Sequence, residues 1–211
     1  MATTSRSLAF APAPLERGFV WLLQGVFAIG CVIYAVMAFD YFISFAAGRD
    51  GLWLRFFTAI VSREHAHGAG SVHVEQAAAY RDGFRFMLMH TTMGAFALAV
   101  GPFQFIAAIR RRYPAAHRTM GRIYLVGAVL SMFAGIGYLL TLIGLDLAVL
   151  FTAWLAYAAI RQRAVLRHQA WMAFNFGLLL ATPLLRLLWI VFGHVFPGMD
   201  QAADNLGITT F

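Results

Sequence analysis

The sequence predicts an all-α, polytopic membrane protein of five transmembrane helices, with helices two to five forming a four-helix bundle of two repeated hairpins. Three observations carry this. Of 211 residues, 61% are hydrophobic and only 12% charged, about half the ~25% charged fraction of a soluble domain. The apolar residues fall in continuous runs near the roughly 17–25 residues that cross a bilayer, not in the alternating segments of a β-barrel. All 16 basic residues are arginine, and they segregate between the loops. A net charge of +7 would suggest nucleic acid in a polar chain; here it reads as membrane topology, and no nucleic-acid partner is expected. The single cysteine, Cys31, excludes a disulfide scaffold.

The first span runs from Val20 to Phe39 and continues past Asp40 to Ala47. Ser44-Phe45-Ala46 resembles a signal-peptide cleavage site, but the apolar run exceeds the roughly 7–15 residues of a signal core. An outer loop follows, in which Leu52–Val61, with Trp53, Phe56 and Phe57 beside Arg55, reads as an interfacial amphipathic helix. The second span is Phe86–Ile109 and the third Ile123–Leu145. The fourth, Leu147–Ile160, has 14 residues and becomes long enough if Arg161 and Arg163 snorkel and the helix reaches Leu166. The fifth runs from Gln169 past Arg186 to Val195, and Pro197 ends it. The chain thus divides into an N-terminal segment (1–17), a first helix (18–47), the outer loop (48–84), the four-helix domain (85–196) and a C-terminal tail (197–211). With the N-terminus cytoplasmic, five spans put ten of the sixteen arginines inside and only one of the nine acids, Glu16, as the positive-inside rule requires.

The bundle carries an internal echo at an offset of 51 residues. Ala107-Ala108-Ile109-Arg110-Arg111-Arg112 returns as Ala158-Ala159-Ile160-Arg161-Gln162-Arg163, and each copy is followed after five residues by a histidine, His117 or His168. Parallel repeats of this kind place equivalent residues across a pseudo-twofold axis along the membrane normal. Two facing imidazoles can supply both axial ligands of a haem iron or two positions of a metal site. Arg118, Arg122 and Arg167 suit haem propionates, since guanidinium pairs with carboxylate bidentately. The alternative is two interfacial histidines bonded to headgroups or to a helix N-terminus.

A second level follows from depth. His90 lies 20 residues before Arg110, and Arg186 lies 18 residues after His168, about 30 Å and 27 Å of helix. The two therefore come out at similar heights toward the outer leaflet. An arginine so deep faces the bundle interior with a partner: a propionate, a quinone carbonyl or, structurally, Asp40. His194 belongs at the outer interface. Gly101-Pro102 with Gln104 predicts a kink in helix two. Gly127-Ser131-Gly135 and Ala173-Gly177-Ala181 predict close helix packing. In the outer loop His65, His67, His73 and Glu75 have the donor types for zinc or copper, although the spacing matches no compact finger or HExxH helix and solvated loop histidines are the simpler reading. No nucleophilic or hydrolytic constellation is visible, and no catalytic residue is assigned.

The landmarks His90, Gly94, Gly101-Pro102-Phe103-Gln104-Phe105, His117-Arg118-x-x-Gly121-Arg122-x-Tyr124 and Arg167-His168-x-x-Trp171-Met172 resemble the DUF2306 family of predicted bacterial membrane proteins, over roughly residues 86–190. The family often has a basic residue after the Trp-Met pair, where this chain has Ala173-Phe174-Asn175. The resemblance implies a multi-helix membrane domain in a bacterial inner membrane and no particular reaction. It carries over His90, His117, His168, Arg122 and Arg186. The resulting expectation is electron transfer through b-type haem or a quinone held by His117, His168, His90, Arg186, Arg122, Arg118 and Arg167, with helix one peripheral. The alternative is a non-catalytic accessory or assembly subunit, with partner membrane subunits or further copies of the chain beside it in the lipid bilayer.

Overall fold

The computed structural model describes residues 14–75, 77–136 and 143–197, and every regular element among them is a helix. Most of the predicted N-terminal segment 1–17 and of the tail 197–211 lies outside the described residues. Among the described residues four helices are long and apolar enough to cross a membrane, or five where a bent pair of helices counts as one span.

Helix α1 (Pro14–Ala46) is continuous. It ends where Gly48 takes a positive φ of 67°, with Gly48 N–H donating to Phe45 O and Arg49 N–H to Ser44 O, the paired closing bonds of a Schellman cap. Asp40 does not stop it. Its carboxylate accepts the Leu52 N–H at 2.6 Å and the Ser44 hydroxyl at 3.3 Å, with Arg49 at 3.9 Å, so it pins the returning loop. Four short helices follow: α2 (Leu52–Ile60), α3 (Arg63–His67), α4 (Val72–Glu75) and α5 (Ala77–Asp82). The amphipathic reading of α2 holds, and part of its apolar face turns inward while Leu52, Phe56 and Ile60 stay exposed. Leu54 and Phe57 pack with Ala66 and Trp189, so the loop caps one end of the bundle.

Helix α6 (Phe84–Val100) breaks as predicted at Gly101-Pro102 into a 3-10 turn, Pro102–Phe105, and then α7 (Ala107–Arg112). A Cβ at Gly101 would overlap the ring of Phe176, so the glycine admits that ring to the core. Helix α8 (Pro114–Ile136) begins nine residues before the expected Ile123. Pro114 needs no N–H partner at a helix start, and the long arginine stems let charged residues extend the helix beyond the apolar run. Helix α9 (Ile143–Arg161) has 19 residues, which corrects the expected short fourth span. Asp146, taken as a boundary, lies inside its first turn, where an acid is favoured by the helix dipole.

The stretch expected as the fifth span is two helices, α10 (Val165–Leu179) and α11 (Ala181–Val195), bent by 41°. Pro183 explains the break, which the uninterrupted reading from Gln169 to Val195 overlooked: proline has no N–H for Leu179 O and its ring collides with that carbonyl. Neighbouring helices pack in the order α1, α6, α8, α9, α10. Gly127 is necessary at the α6–α8 contact, where a Cβ would stand 2.8 Å from Met93 O. The second small-residue face behaves differently: Ala173 and Gly177 are exposed. Helix one is not peripheral either. Cys31 is buried in one cluster with Ala97, Leu98, Tyr124, Ala128 and Phe176, and Tyr34 packs against them.

Candidate functional site

The bend at Leu180 turns α11 away from α10 and opens a cavity of about 370 Å³ in the half of the bundle nearer the loop helices. Leu178, Leu179, Thr182 and Pro183, the residues around the break, line it. Its wall is mostly apolar, and its polar groups come from α1, α5, α6, α8, α9 and α11.

His90 and Arg186, predicted at one height, line this same cavity. Arg186 does not pair with Asp40. Its Nε–H donates to Tyr34 Oη at 2.7 Å, and its guanidinium carbon stands 5.6 Å from the Trp53 ring and 5.3 Å from the Trp189 ring. Two aromatic faces offset part of the cost of a cation at this depth. Asp40 is committed to the loop, one reason the pairing fails. Because Tyr34 Oη accepts from arginine, its own proton is available to the cavity. Tyr80, on α5, adds a hydroxyl whose pKa burial pushes up, so it stays neutral.

On α6, His90 Nδ1 lies 2.8 Å from the Ser131 carbonyl. A carbonyl only accepts, so Nδ1 carries the proton and Nε2 keeps its lone pair. The Ser131 hydroxyl donates to His90 O at 2.8 Å, locking α6 to α8 at the same point. Beside this pair lies a residue that the sequence reading missed. Asp146 is 4% exposed, and its Oδ2 has no hydrogen-bond partner among the described residues. Gly135 makes room for both groups: a Cβ there would stand 2.9 Å from Asp146 Oδ2 and 3.0 Å from His90 Nδ1. A lone acid between the apolar runs 123–145 and 147–160 was the available signal.

His117 and His168 lie at the opposite end, at the starts of α8 and α10, close enough for their charges to interact. His168 Nδ1–H donates to Ala156 O at 2.9 Å; His117 Nδ1 is buried without a partner. Arg118, Arg122 and Arg167 are exposed at this end. Deeper, the fully buried Asn175 accepts from Tyr124 Oη at 2.6 Å and donates to Val149 O at 2.7 Å and Thr152 Oγ1 at 2.8 Å. That network ties α8, α9 and α10 together, and sequence reasoning gave Asn175 no role.

The loop histidines are partnered separately. His65 Nδ1 meets Ser62 Oγ at 3.0 Å, His67 Nε2 meets Asp50 at 3.5 Å, and His73 Nδ1 meets the Tyr41 hydroxyl at 2.9 Å. Burial, and then the neighbouring His67, hold the His73 pKa below its usual value. His194 is exposed and its Nδ1–H donates to Ile190 O. Among the described residues no three His, Cys, Asp or Glu side chains gather into a group able to hold a metal ion.

A family model described as predicted membrane protein (DUF2306) matches residues 87–209, more than half of the chain. That stretch contains His90, Asp146 and Arg186, while Tyr34 and Trp53 precede it. Comparison with curated proteins and with solved structures finds no match.

Proposed function

The chain belongs to the DUF2306 family of predicted membrane proteins, and on that premise we propose that it serves membrane electron transfer by binding the head group of a lipid-soluble quinone in the cavity. The observation that carries this is the joint presence of His90 and the Arg186–Tyr34 pair on one apolar cavity of about 370 Å³. Small-molecule sites are mostly apolar clefts with a few placed polar groups, and this volume lies at the lower end of their usual range of roughly 300–1,000 Å³. Tyr34 supplies a hydroxyl donor for a carbonyl oxygen. His90 Nε2 accepts from a quinol hydroxyl, and the Asp146 carboxylate beside it stabilises the imidazolium that results. Trp53 and Trp189 close the apolar wall.

Orientation follows from charge. One end carries Arg110, Arg111, Arg112, Arg118, Arg122, Arg161, Arg163 and Arg167; the other carries Arg49, Arg55, Arg63, Arg81 and Arg85. The positive-inside rule assigns the first end to the cytoplasm, so in a bacterial inner membrane the N-terminus lies inside and the cavity in the outer half.

The test is a titration of the detergent-purified protein with a short-chain benzoquinone, read by tryptophan quenching. Two of the five tryptophans, Trp53 and Trp189, line the cavity, so quenching is expected to saturate. His90→Ala and Arg186→Gln should each raise the apparent Kd about tenfold or more, about 1.4 kcal/mol. Linear, non-saturating quenching unaffected by either substitution would overturn the proposal. Stoichiometric partner chains without quinone binding would favour an accessory subunit instead.

A further inference from the structure

The capping loop holds two histidines to which quinone binding gives no role, and one of them stands beside the cavity. We propose that Tyr41, His73, His67 and Asp50 form a proton relay joining the cavity to the aqueous face of the loop. The inference rests on the reading of the cavity as a quinone site: a quinol carries two hydroxyl protons that its quinone lacks, and His90 takes only one. The cap is otherwise apolar, with Leu54, Phe57, Ala66 and Trp189 buried together in it. Under it lies a second cavity of about 20 Å³. Tyr41, Tyr80 and Arg186 line both this small cavity and the larger one, whereas His73 lines only the small one. A void of at least about 10–15 Å³ holds a water molecule where two to four polar partners surround it, and these four side chains are such partners. One water therefore spans the step from the quinone site to His73.

From there the polar groups follow one another outward. The Tyr41 hydroxyl lies 2.9 Å from His73 Nδ1, so a proton passes between them along an existing hydrogen bond. The ring of His73 meets that of His67 edge to face, with centroids 5.6 Å apart. His67 Nε2 lies 3.4 Å from Thr58 Oγ1 and 3.5 Å from Asp50 Oδ2. The Thr58 hydroxyl donates to Leu54 O at 2.7 Å, so toward His67 its oxygen accepts, and His67 Nε2 carries a proton. The lone pair of His67 then sits on Nδ1, ready to receive the next one. Asp50 is half exposed and ends the chain in water. Tyr41, His67 and Asp50 are the titratable neighbours of His73 on the loop side, with Tyr80 and Arg186 across the small cavity. Burial, and then His67, hold the His73 pKa below its usual value, while Asp50 acts the other way. His73 is therefore neutral at neutral pH, and its cation carries a proton briefly instead of trapping it. One proton enters the chain for each that leaves it, in either direction, and no electron moves.

The probe is lawsone, a hydroxynaphthoquinone whose hydroxyl changes colour on ionisation, bound to the full-length protein in detergent. Binding is read by tryptophan quenching, and protonation of the bound probe by absorbance after a laser-triggered proton pulse from a photoacid in the buffer. His73→Ala should slow proton uptake at least about tenfold and leave the Kd unchanged, because His73 lies outside the larger cavity. Free imidazole should restore the rate in His73→Ala, a rescue that a merely structural histidine would not show. His67→Gln should slow uptake severalfold, and His194→Ala should leave it unchanged. Saturable binding with proton uptake that neither His73→Ala nor His67→Gln slows, or slowing in His73→Ala that imidazole fails to restore, would overturn the relay and leave the quinone site standing. No saturable binding in the wild-type protein would overturn the quinone site and the relay with it.

Discussion

Replacing Asn175 with alanine should destabilise the protein by about 2 kcal/mol, and the structure says where that figure comes from. Asn175 makes three hydrogen bonds, to Tyr124, Val149 and Thr152, and is completely buried. Hydrogen bonds between membrane helices average about 0.6 kcal/mol and reach about 1.7, so three contribute about 2 and at most about 5 kcal/mol. Tyr124→Phe removes one of them and should cost about 0.6–1.7 kcal/mol. The double variant should show a coupling of the same size, since Tyr124 and Asn175 are direct partners. The assay is reversible unfolding in mixed micelles, followed by helicity. The reasoning fails if the coupling falls within the ~0.3–0.5 kcal/mol scatter of independent sites, or if Asn175→Ala is no more destabilising than Tyr124→Phe.

Gly135→Ala places a methyl group 2.9 Å from Asp146 Oδ2 and 3.0 Å from His90 Nδ1; it should cost about 1–3 kcal/mol and weaken quinone binding severalfold in the fluorescence titration. Arg163 turns the chain between α9 and α10 at φ 58°, so Arg163→Gly should leave helicity unchanged and raise stability by about 1 kcal/mol in thermal melts. His73 has its pKa held below 6.5 by burial and by His67. Its neutral form therefore belongs to the folded loop: the stability it brings is complete above pH 6.5 and is lost as pH falls below that. Hydrogen exchange across 62–75 should accelerate on acidification, and His73→Gln should flatten the response.

What the sequence made legible was whatever depends on hydropathy and helical rise. The number of spans, the kink at Gly101-Pro102, the amphipathic α2 and the shared level of His90 and Arg186 all follow from counting residues along a helix. What it obscured depended on partners. Asp146 looked like a loop residue because a single acid ordinarily interrupts an apolar run; only packing against His90 and Gly135 makes it part of the interior. Asp40 was the obvious counter-ion for Arg186, yet an unpaired backbone N–H at Leu52 claims it, and a tyrosine from α1 takes its place. Pro183 was hidden inside a continuous apolar run, although the bend it forces is what opens the cavity. The capping loop, read as interfacial, supplies Trp53 to the site for the same reason: an apolar face does not reveal which apolar surface it will cover.

Photoaffinity labelling with an azido-quinone, mapped by peptide mass spectrometry, tests the central claim most directly. Labels should concentrate on cavity-lining residues of α1, α6 and α11, near Tyr34, His90 and Arg186, and excess unlabelled quinone should suppress them. Labelling spread over the exposed outer faces, at residues such as Phe133, Trp154 and Phe174, and insensitive to competitor would contradict it.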